Sequence, residues 1–493
     1  MIEQLPIINL LLLLGTALII PLFKKRPFQL SLTLCFLVLL TVLVSSVFLL
    51  IHVLEYGEFY YHFGNHENLI GIEFLIDAFS AFFTVFVAAL VLVIYLYSWK
   101  DKTEGIENKE FGRYYILLFI LLFSIFGILY SNDLFNTYVF IEILSITSCA
   151  IISIKRKKET YTAAFRYVML NEIASMSYLL GVALIYMITG HLNLERVATS
   201  LQSIWPLYST NIIIAIGFMT IGVGIKAAIF PFHIWLPDAH ATAPSTSSAI
   251  LSGIVVKIYI LVLVKLLFRV FGMEIVEALH IKWIMLILGS AGMIMGSIFA
   301  IAQKDVKRML GYSSVAQIGY IILGIGLFTE AGLQAAFFHI ISHGIMKAAL
   351  FLSVGVIIYY KHVQKLKDFE GIGYQMPISM TVFSFGALGM VGIPLTSGFI
   401  SKFNLGIAVI DANLIFFLII IILSGLLNVV YYFPIVISAF LKDNKEMQKI
   451  PHIEKVPNIM LIPILTLGVA IVVLGLFPNL IMDIIVSVVA TLF

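Results

Sequence analysis

Residues 220–237 read TIGVGIKAAIFPFHIWLP, an apolar run that holds one lysine, Lys226, and a proline, Pro231, five residues after it. Proline removes a backbone donor and clashes with the carbonyl one turn back, so a helix entering this run is expected to break between Ala227 and Phe230. An ammonium at the bilayer centre costs about 2.5–3.5 kcal/mol on insertion scales, so it normally faces a bundle interior, a partner or water. Non-helical backbone at that depth survives only where protein or a water-filled cavity takes up its freed polar groups. Lys226 beside the Pro231 break therefore reads as part of an ion path.

The composition supports the bilayer that this reading needs. Of 493 residues 61% are hydrophobic and 12% charged, against roughly 25% charged in an average soluble domain, and the mean hydropathy is +1.07. Thirty Lys/Arg and twenty-seven Asp/Glu cannot supply the polar surface of a soluble chain this long. Ordinary soluble enzymes and secreted disulfide scaffolds are excluded, and a net charge of +3 implies no nucleic-acid partner. Cys35 and Cys149 both sit in apolar runs and build no disulfide, zinc or iron–sulfur site. No basic cluster precedes the first apolar stretch, which reads as a retained helix and not a cleaved signal.

Apolar stretches fall near 5–22, 28–52, 74–98, 112–130, 134–154, 161–189, 209–230, 246–268, 283–301, 309–328, 333–359, 377–406, 413–440 and 457–489. They are apolar on every face and far longer than the roughly ten-residue alternating strands of a membrane barrel, so the expected class is all-α, with about fourteen spans. Lys and Arg crowd the odd-numbered connections, such as 155–158 and 304–308, while the even ones hold little beyond Arg196, Arg269 and Lys282, with Lys265 near a helix end. That asymmetry predicts a multi-pass protein of the cell membrane with both termini on the outer side. The connection LKDNKEMQKIPHIEK at 441–455 reads as solvated.

Four lysines fall inside spans where no connection explains them: Lys226, Lys257, Lys347 and Lys402. Glu142 lies mid-span in NTYVFIEILSITSC, at 136–149, and is the sole acid of its stretch. Desolvation disfavours a lone carboxylate there unless a cation stands close, so a Glu–Lys pair is expected, either locking two helices or serving the ion path. Lys257, in SAILSGIVVKIYILV, is too deep for simple snorkelling, and Ser248, Ala249, Ser252 and Gly253 let another helix approach it. His339, His343 and Lys347 are spaced four apart in FFHIISHGIMKAAL and so share one helix face. Histidine titrates near neutrality, which suits a proton wire; metal binding by the two histidines lacks further converging ligands.

Lys402 follows GMVGIPLTSGFISKF, where Gly392 and Pro394, with Gly398, predict a second broken helix. Here the break precedes the lysine, whereas at Lys226 it follows. Interrupted helices of opposite sense are what an inverted repeat produces. The expected division is 1–111 for the first three helices, 112–270 for a first five-helix repeat, 271–440 for a second and 441–493 for the last helix. Glu172, in YVMLNEIASM, is open between partnering a lysine, lining an entry channel and making a structural hydrogen bond. His233, Asp238 and His240 follow the first break on the inferred cytoplasmic side and are candidate proton collectors. No phosphate loop, dinucleotide glycine pattern or haem ligand set is present, so no cofactor or resident metal is expected.

At these residues the chain resembles the antiporter-like subunits shared by respiratory complex I, Mrp-type cation/proton antiporters and membrane-bound hydrogenases. The resemblance runs over nearly the whole chain. It rests on the Glu142 helix, IKAAIFPFHIWLPDAHATAPSTSSAILSG with Lys257 after it, KDVKRMLGYSSVAQIGY, FFHIISHGIMKAALFL and GIPLTSGFISKF, in that order. It implies a coupled pair at Glu142 and Lys226, and a proton path continuing through Lys257, His339, His343 and Lys402, with Lys347 a member. Glu172 lies outside the pattern carried over. The resemblance further implies membrane subunits as partners, protons and sodium as candidate cargo, and redox chemistry, where present, in the partners. With about fourteen helices the chain looks more like the D-type Mrp subunit, its hydrogenase counterpart or the smaller complex I homologues than like the longest members. The expected function is a proton-translocating subunit of the Mrp or hydrogenase type. The alternatives are a proton-pumping subunit of NADH:quinone oxidoreductase and a stand-alone secondary carrier.

Overall fold

The computed structural model describes residues 2–25, 28–62, 72–99, 110–441 and 456–493. The connections read as basic at 100–109 and as solvated at 442–455 lie outside them. In chain order the elements begin with α1 (Leu5–Ile19), α2 (Phe28–Tyr56), strands β1 (Phe59–His62) and β2 (Glu73–Ile76), α3 (Ala78–Ser98), α4 (Phe111–Tyr130) and α5 (Leu134–Ile152). Then follow α6 (Lys158–Thr189), α7 (Leu194–Ile204), α8 (Ser209–Lys226), α9 (Trp235–Thr242) and α10 (Ser245–Ala278). The chain continues through α11 (Ile281–Ile301), α12 (Val306–Gly326), α13 (Glu330–Lys361), α14 (Pro377–Val391) and α15 (Ser397–Asp411). It closes with α16 (Ile415–Phe440), α17 (Asn458–Leu476) and α18 (Asn479–Ala490).

Among the described residues thirteen helices are long and apolar enough to cross a bilayer, and the broken pair α14/α15 adds one more crossing between them. The protein is an all-helical, multi-pass membrane protein. Several expected boundaries move for physical reasons. The stretch at 74–98 opens as β2, which pairs antiparallel with β1 from Phe59 opposite Ile76 to His62 opposite Glu73. Helix α3 begins only after Asp77, whose carboxylate accepts the Ser80 N–H at 2.8 Å and caps the first turn. The stretch at 377–406 is two helices, with the break expected at Gly392 and Pro394, whereas 457–489 is split at Phe477 and Pro478, where proline cannot continue the ladder. Helices α7 and α9 are short additions that apolar run length does not announce.

Three helices form the middle of the bundle. α10, α12 and α13 are buried along nearly all of their apolar length. The perimeter presents Leu11, Phe165, Met176, Ile419, Leu426 and Val469 outward, the surface a hydrocarbon solvent requires. Because lipid gives no hydrophobic drive between helices, close approach through small residues carries the packing. A Cβ on Gly319 of α12 would lie 2.5 Å from the Gly289 carbonyl oxygen of α11, and one on Gly222 of α8 would lie 2.6 Å from the Ala174 oxygen of α6. Gly344 of α13 meets Gly253 of α10 at a similar crossing, its built Cβ 2.9 Å from the Gly253 oxygen.

Forcing a methyl into such a crossing separates two backbones. Gly319→Ala is therefore expected to lower the stability of the detergent-purified protein by about 1–3 kcal/mol, read as a fall in thermal midpoint. Gly217→Ala is its control: open space surrounds that position, and the midpoint there should hold or rise.

Candidate functional site

Helix α8 ends at Lys226, and turns fill 227–234 before α9 begins. The break takes the Ile225 carbonyl out of the four-residue ladder; it accepts from the Ala228 N–H at 3.1 Å and from the Trp235 indole N–H at 2.9 Å. The Lys226 side chain is 1% exposed. Its ammonium donates to Ser145 Oγ at 2.7 Å and stands 3.5 Å from Glu142 Oε1 on α5. The Ser175 hydroxyl of α6 donates to the same Glu142 oxygen. Ser145 Oγ in turn pairs with the Tyr259 hydroxyl of α10 at 3.1 Å. The Glu–Lys pair expected from the sequence is thus present, and hydroxyls from two more helices complete it.

A π turn at Leu251–Val255 widens α10 just before Lys257. Lys257 donates to the Ser252 carbonyl inside that turn, and the Ser252 hydroxyl meets Ser314 Oγ of α12 at 2.8 Å. Across the Gly253–Gly344 crossing lies the His339–His343–Lys347 face of α13. The two imidazoles stack with centroids 5.9 Å apart and planes 18° from parallel. Lys347 donates to the Leu310 carbonyl at 2.7 Å and to the Ser313 hydroxyl, which meets the Tyr432 hydroxyl at 2.8 Å. His339 Nδ1 is 2.8 Å from Ser401 Oγ, one residue before Lys402.

The Lys402 side chain reaches back from α15 to the second break, which spans 392–396 and includes Pro394. Its ammonium donates to the Met390 carbonyl at 2.5 Å and to the Val391 carbonyl at 3.3 Å. These are groups that a helix C-terminus leaves unpaired and that carry the negative end of its dipole. The same ammonium lies 4.6 Å from the Tyr320 ring centroid. Gly392 turns the chain at φ +92°, and a Cβ there would come 3.1 Å from Lys402 Cδ. Glycine is needed twice over: for the backbone and for the lysine stem.

Lys257 lies within electrostatic reach of His339, His343 and Lys347, and Lys402 of both histidines. One row therefore runs from Lys257 past the histidines to Lys402, beside the separate Glu142–Lys226 pair. The residues after the first break divide. Asp238 is near the surface, paired with Arg166 at 2.5 Å and Arg308 at 3.0 Å. His233 is buried and stacks on Phe230 and Phe299. His240 is fully buried against Phe351, with Lys257, Lys307 and Lys347 in electrostatic reach. Among the described residues, no group of three or more metal-ligating side chains converges.

The NADH:quinone oxidoreductase/Mrp antiporter transmembrane family model matches residues 131–427, a segment that contains every acid, lysine and histidine of the site. The chain belongs to that family. NADH-quinone oxidoreductase subunit N of Desulforudis audaxviator is 35% identical over 452 residues, covering 89% of each chain. The D-type subunit of the Na(+)/H(+) antiporter of Alkalihalophilus pseudofirmus is 29% identical, over 88% of this chain and 86% of its own. A chain of the Mrp complex from Dietzia superposes with a TM-score of 0.90 at 25% identity, covering 100% of this chain and 97% of that one. The protein is an antiporter-like subunit of the NADH:quinone oxidoreductase/Mrp family.

In this family member the structure adds cations that sequence reading assigned to helix ends and connections. Lys265 is buried in a second π turn of α10 and donates to the carbonyls of Ile128, Leu129 and Ser131 at the end of α4, at 2.6 to 3.1 Å. Arg269, one turn on, pairs with Asp77, and Lys307 donates to the Ala243 carbonyl at 2.5 Å. Three cations at i, i+8 and i+12 along one apolar run, at Lys257, Lys265 and Arg269, were the available signal. Removing one partner of a buried pair leaves an uncompensated charge. Asp77→Ala is expected to destabilise the protein by about 3–5 kcal/mol, measured as thermal unfolding in detergent.

Proposed function

We propose that this chain translocates protons as one subunit of a multisubunit complex in the cell membrane, with both termini on the outer side. The observation that carries the reading is the buried Lys226 ammonium, 3.5 Å from Glu142 at the mouth of a helix break. A charge pair that deep is expensive to keep as a mere fastening, and the break supplies a joint beside it.

In the mechanism, the Glu142 carboxylate holds the proton on Lys226 while the two stand close. When they separate, the ammonium loses that partner and its proton moves on toward Lys257, a shift of population that the neighbour's charge drives. Lys257, His343 and His339 relay it along the α10–α13 crossing, and Lys402 receives it at the second break. Lys347 and His240 flank the row on one side, and Asp238 stands nearer solvent beyond the first break. The segments 112–270 and 271–440 act as two units of opposite sense. This is supported by a break that follows the lysine in one and precedes it in the other.

The complex is of the Mrp type, with sodium as the exchanged ion, or its hydrogenase counterpart. A second reading, as a subunit of NADH:quinone oxidoreductase, is favoured by the 35% identity to a subunit N. Pull-down of the tagged chain from native membranes separates these: small hydrophobic antiporter subunits alone mark the first, and subunits carrying iron–sulfur clusters mark a redox-driven pump. Within the complex, Glu142→Gln or Lys226→Ala is expected to abolish proton translocation in membrane vesicles while the complex still assembles. Normal pumping by either variant sinks the mechanism.

A further inference from the structure

Glu172 is an intramembrane acid that the relay leaves unused. It lies on α6, partly exposed, beside the outward-facing Met169, Ile173 and Met176. A carboxylate on such a flank needs a nearby cation to stay charged. Its position along the bundle follows from three contacts between α5 and α6, which run antiparallel. The Tyr138 and Tyr178 rings stack 6.4 Å apart, 7° from parallel. One turn along, Ser175 donates to Glu142. Two turns further, Cys149 Sγ reaches the Ala164 carbonyl at 3.6 Å.

Opposed residues step in opposite directions along this seam, so Glu172 stands level with the turn of α5 that holds Ser145. Ser145 is the residue that takes the Lys226 ammonium at 2.7 Å. Along the helix axis Glu172 therefore stands about one turn from Glu142, level with the Ser145 turn that holds the ammonium and nearer the end of α5 that enters the basic 155–158 connection. Helix α8 is drawn against α6 where Gly222 meets Ala174 and Tyr178, one turn before Lys226, which fixes the lysine beside this seam. Glu172 also stands within electrostatic reach of Lys226, as of Tyr138 and Cys149 on α5.

We infer that Glu172 is a second counter-ion for Lys226, so that the ammonium sits between two carboxylates displaced from each other along the membrane normal. The inference rests on the proton-translocating reading above and deepens it. A proton that neutralises Glu142 then leaves Lys226 held by Glu172 and not stranded as a lone buried cation. The ammonium changes counter-ion without leaving the seam. Glu172 acts through Lys226 and is a positioning residue.

The test uses the whole complex in native membrane vesicles, with proton uptake followed by a pH-sensitive dye and complex yield checked in parallel. Glu172→Gln keeps the shape and removes the charge; it is expected to slow translocation about tenfold, the lower end of what a nearby opposite charge contributes. Glu172→Asp, which restores a carboxylate, is expected to recover most of the rate. A wild-type rate in Glu172→Gln overturns the inference. So does an equal loss in both variants, or a loss that follows complex yield, since either marks a structural hydrogen bond. Normal pumping by Glu142→Gln instead removes the underlying mechanism, so the two failures are told apart.

Discussion

An ammonium group brings three N–H donors into a packed interior, and much of this bundle's centre accommodates that fact. The solution recurs. Lys257 rests on the carbonyl of Ser252, Lys265 on three carbonyls at the end of α4, Lys347 on that of Leu310, Lys307 on that of Ala243 and Lys402 on those of Met390 and Val391. In a regular helix these acceptors are taken by N–H groups four residues on. Apart from the Leu310 carbonyl, which lies inside regular α12, they become available at helix ends and in a π turn, where the ladder is interrupted. Irregular backbone therefore receives all but one of these charges.

Such irregularity needs dense support, because freed groups cannot face lipid. The glycine crossings provide it by bringing backbones together around the breaks: Gly222 beside the Lys226 helix end, Gly253 against Gly344 beside the π turn, and Gly398 against Gly389 across the second break. The Trp235 indole adds a second donor to the Ile225 carbonyl at the first break. Polar side chains at the centre come mostly as serines and tyrosines, whose hydroxyls both give and accept and so join one lysine to the next element: Ser145 with Tyr259, Ser252 with Ser314, Ser313 with Tyr432.

Much of this was legible in the sequence. Pro231 and the Gly392–Pro394 pair announced both breaks because their backbone demands are local. The lysines inside apolar runs announced a buried polar row because hydrocarbon excludes them wherever the helices go. What stayed hidden depends on tertiary packing. The π turns of α10 carry no proline and no distinctive residue. Lys265 sits near the end of an apolar run, and only the folded chain shows the α4 terminus against it. Lys307 reads as a connection lysine until Ala243 is seen beneath it. The hairpin of β1 and β2 and the split at Pro478 were absorbed into longer apolar stretches, since composition alone does not separate a buried strand or a helix stub from a span. The level of Glu172 against Ser145 required the α5–α6 register, which no spacing within one helix contains.

The two lysines at the breaks are anchored differently. Lys402 is moored to main-chain oxygens, acceptors that keep their place in α14 when the lysine side chain swings away. Lys226 is moored to the side chains of Ser145 and Glu142, which themselves change partner by rotating about single bonds. The acceptors at the second break are therefore fixed and those at the first are movable, an asymmetry in a layout that looks symmetric when only the positions of charge are compared.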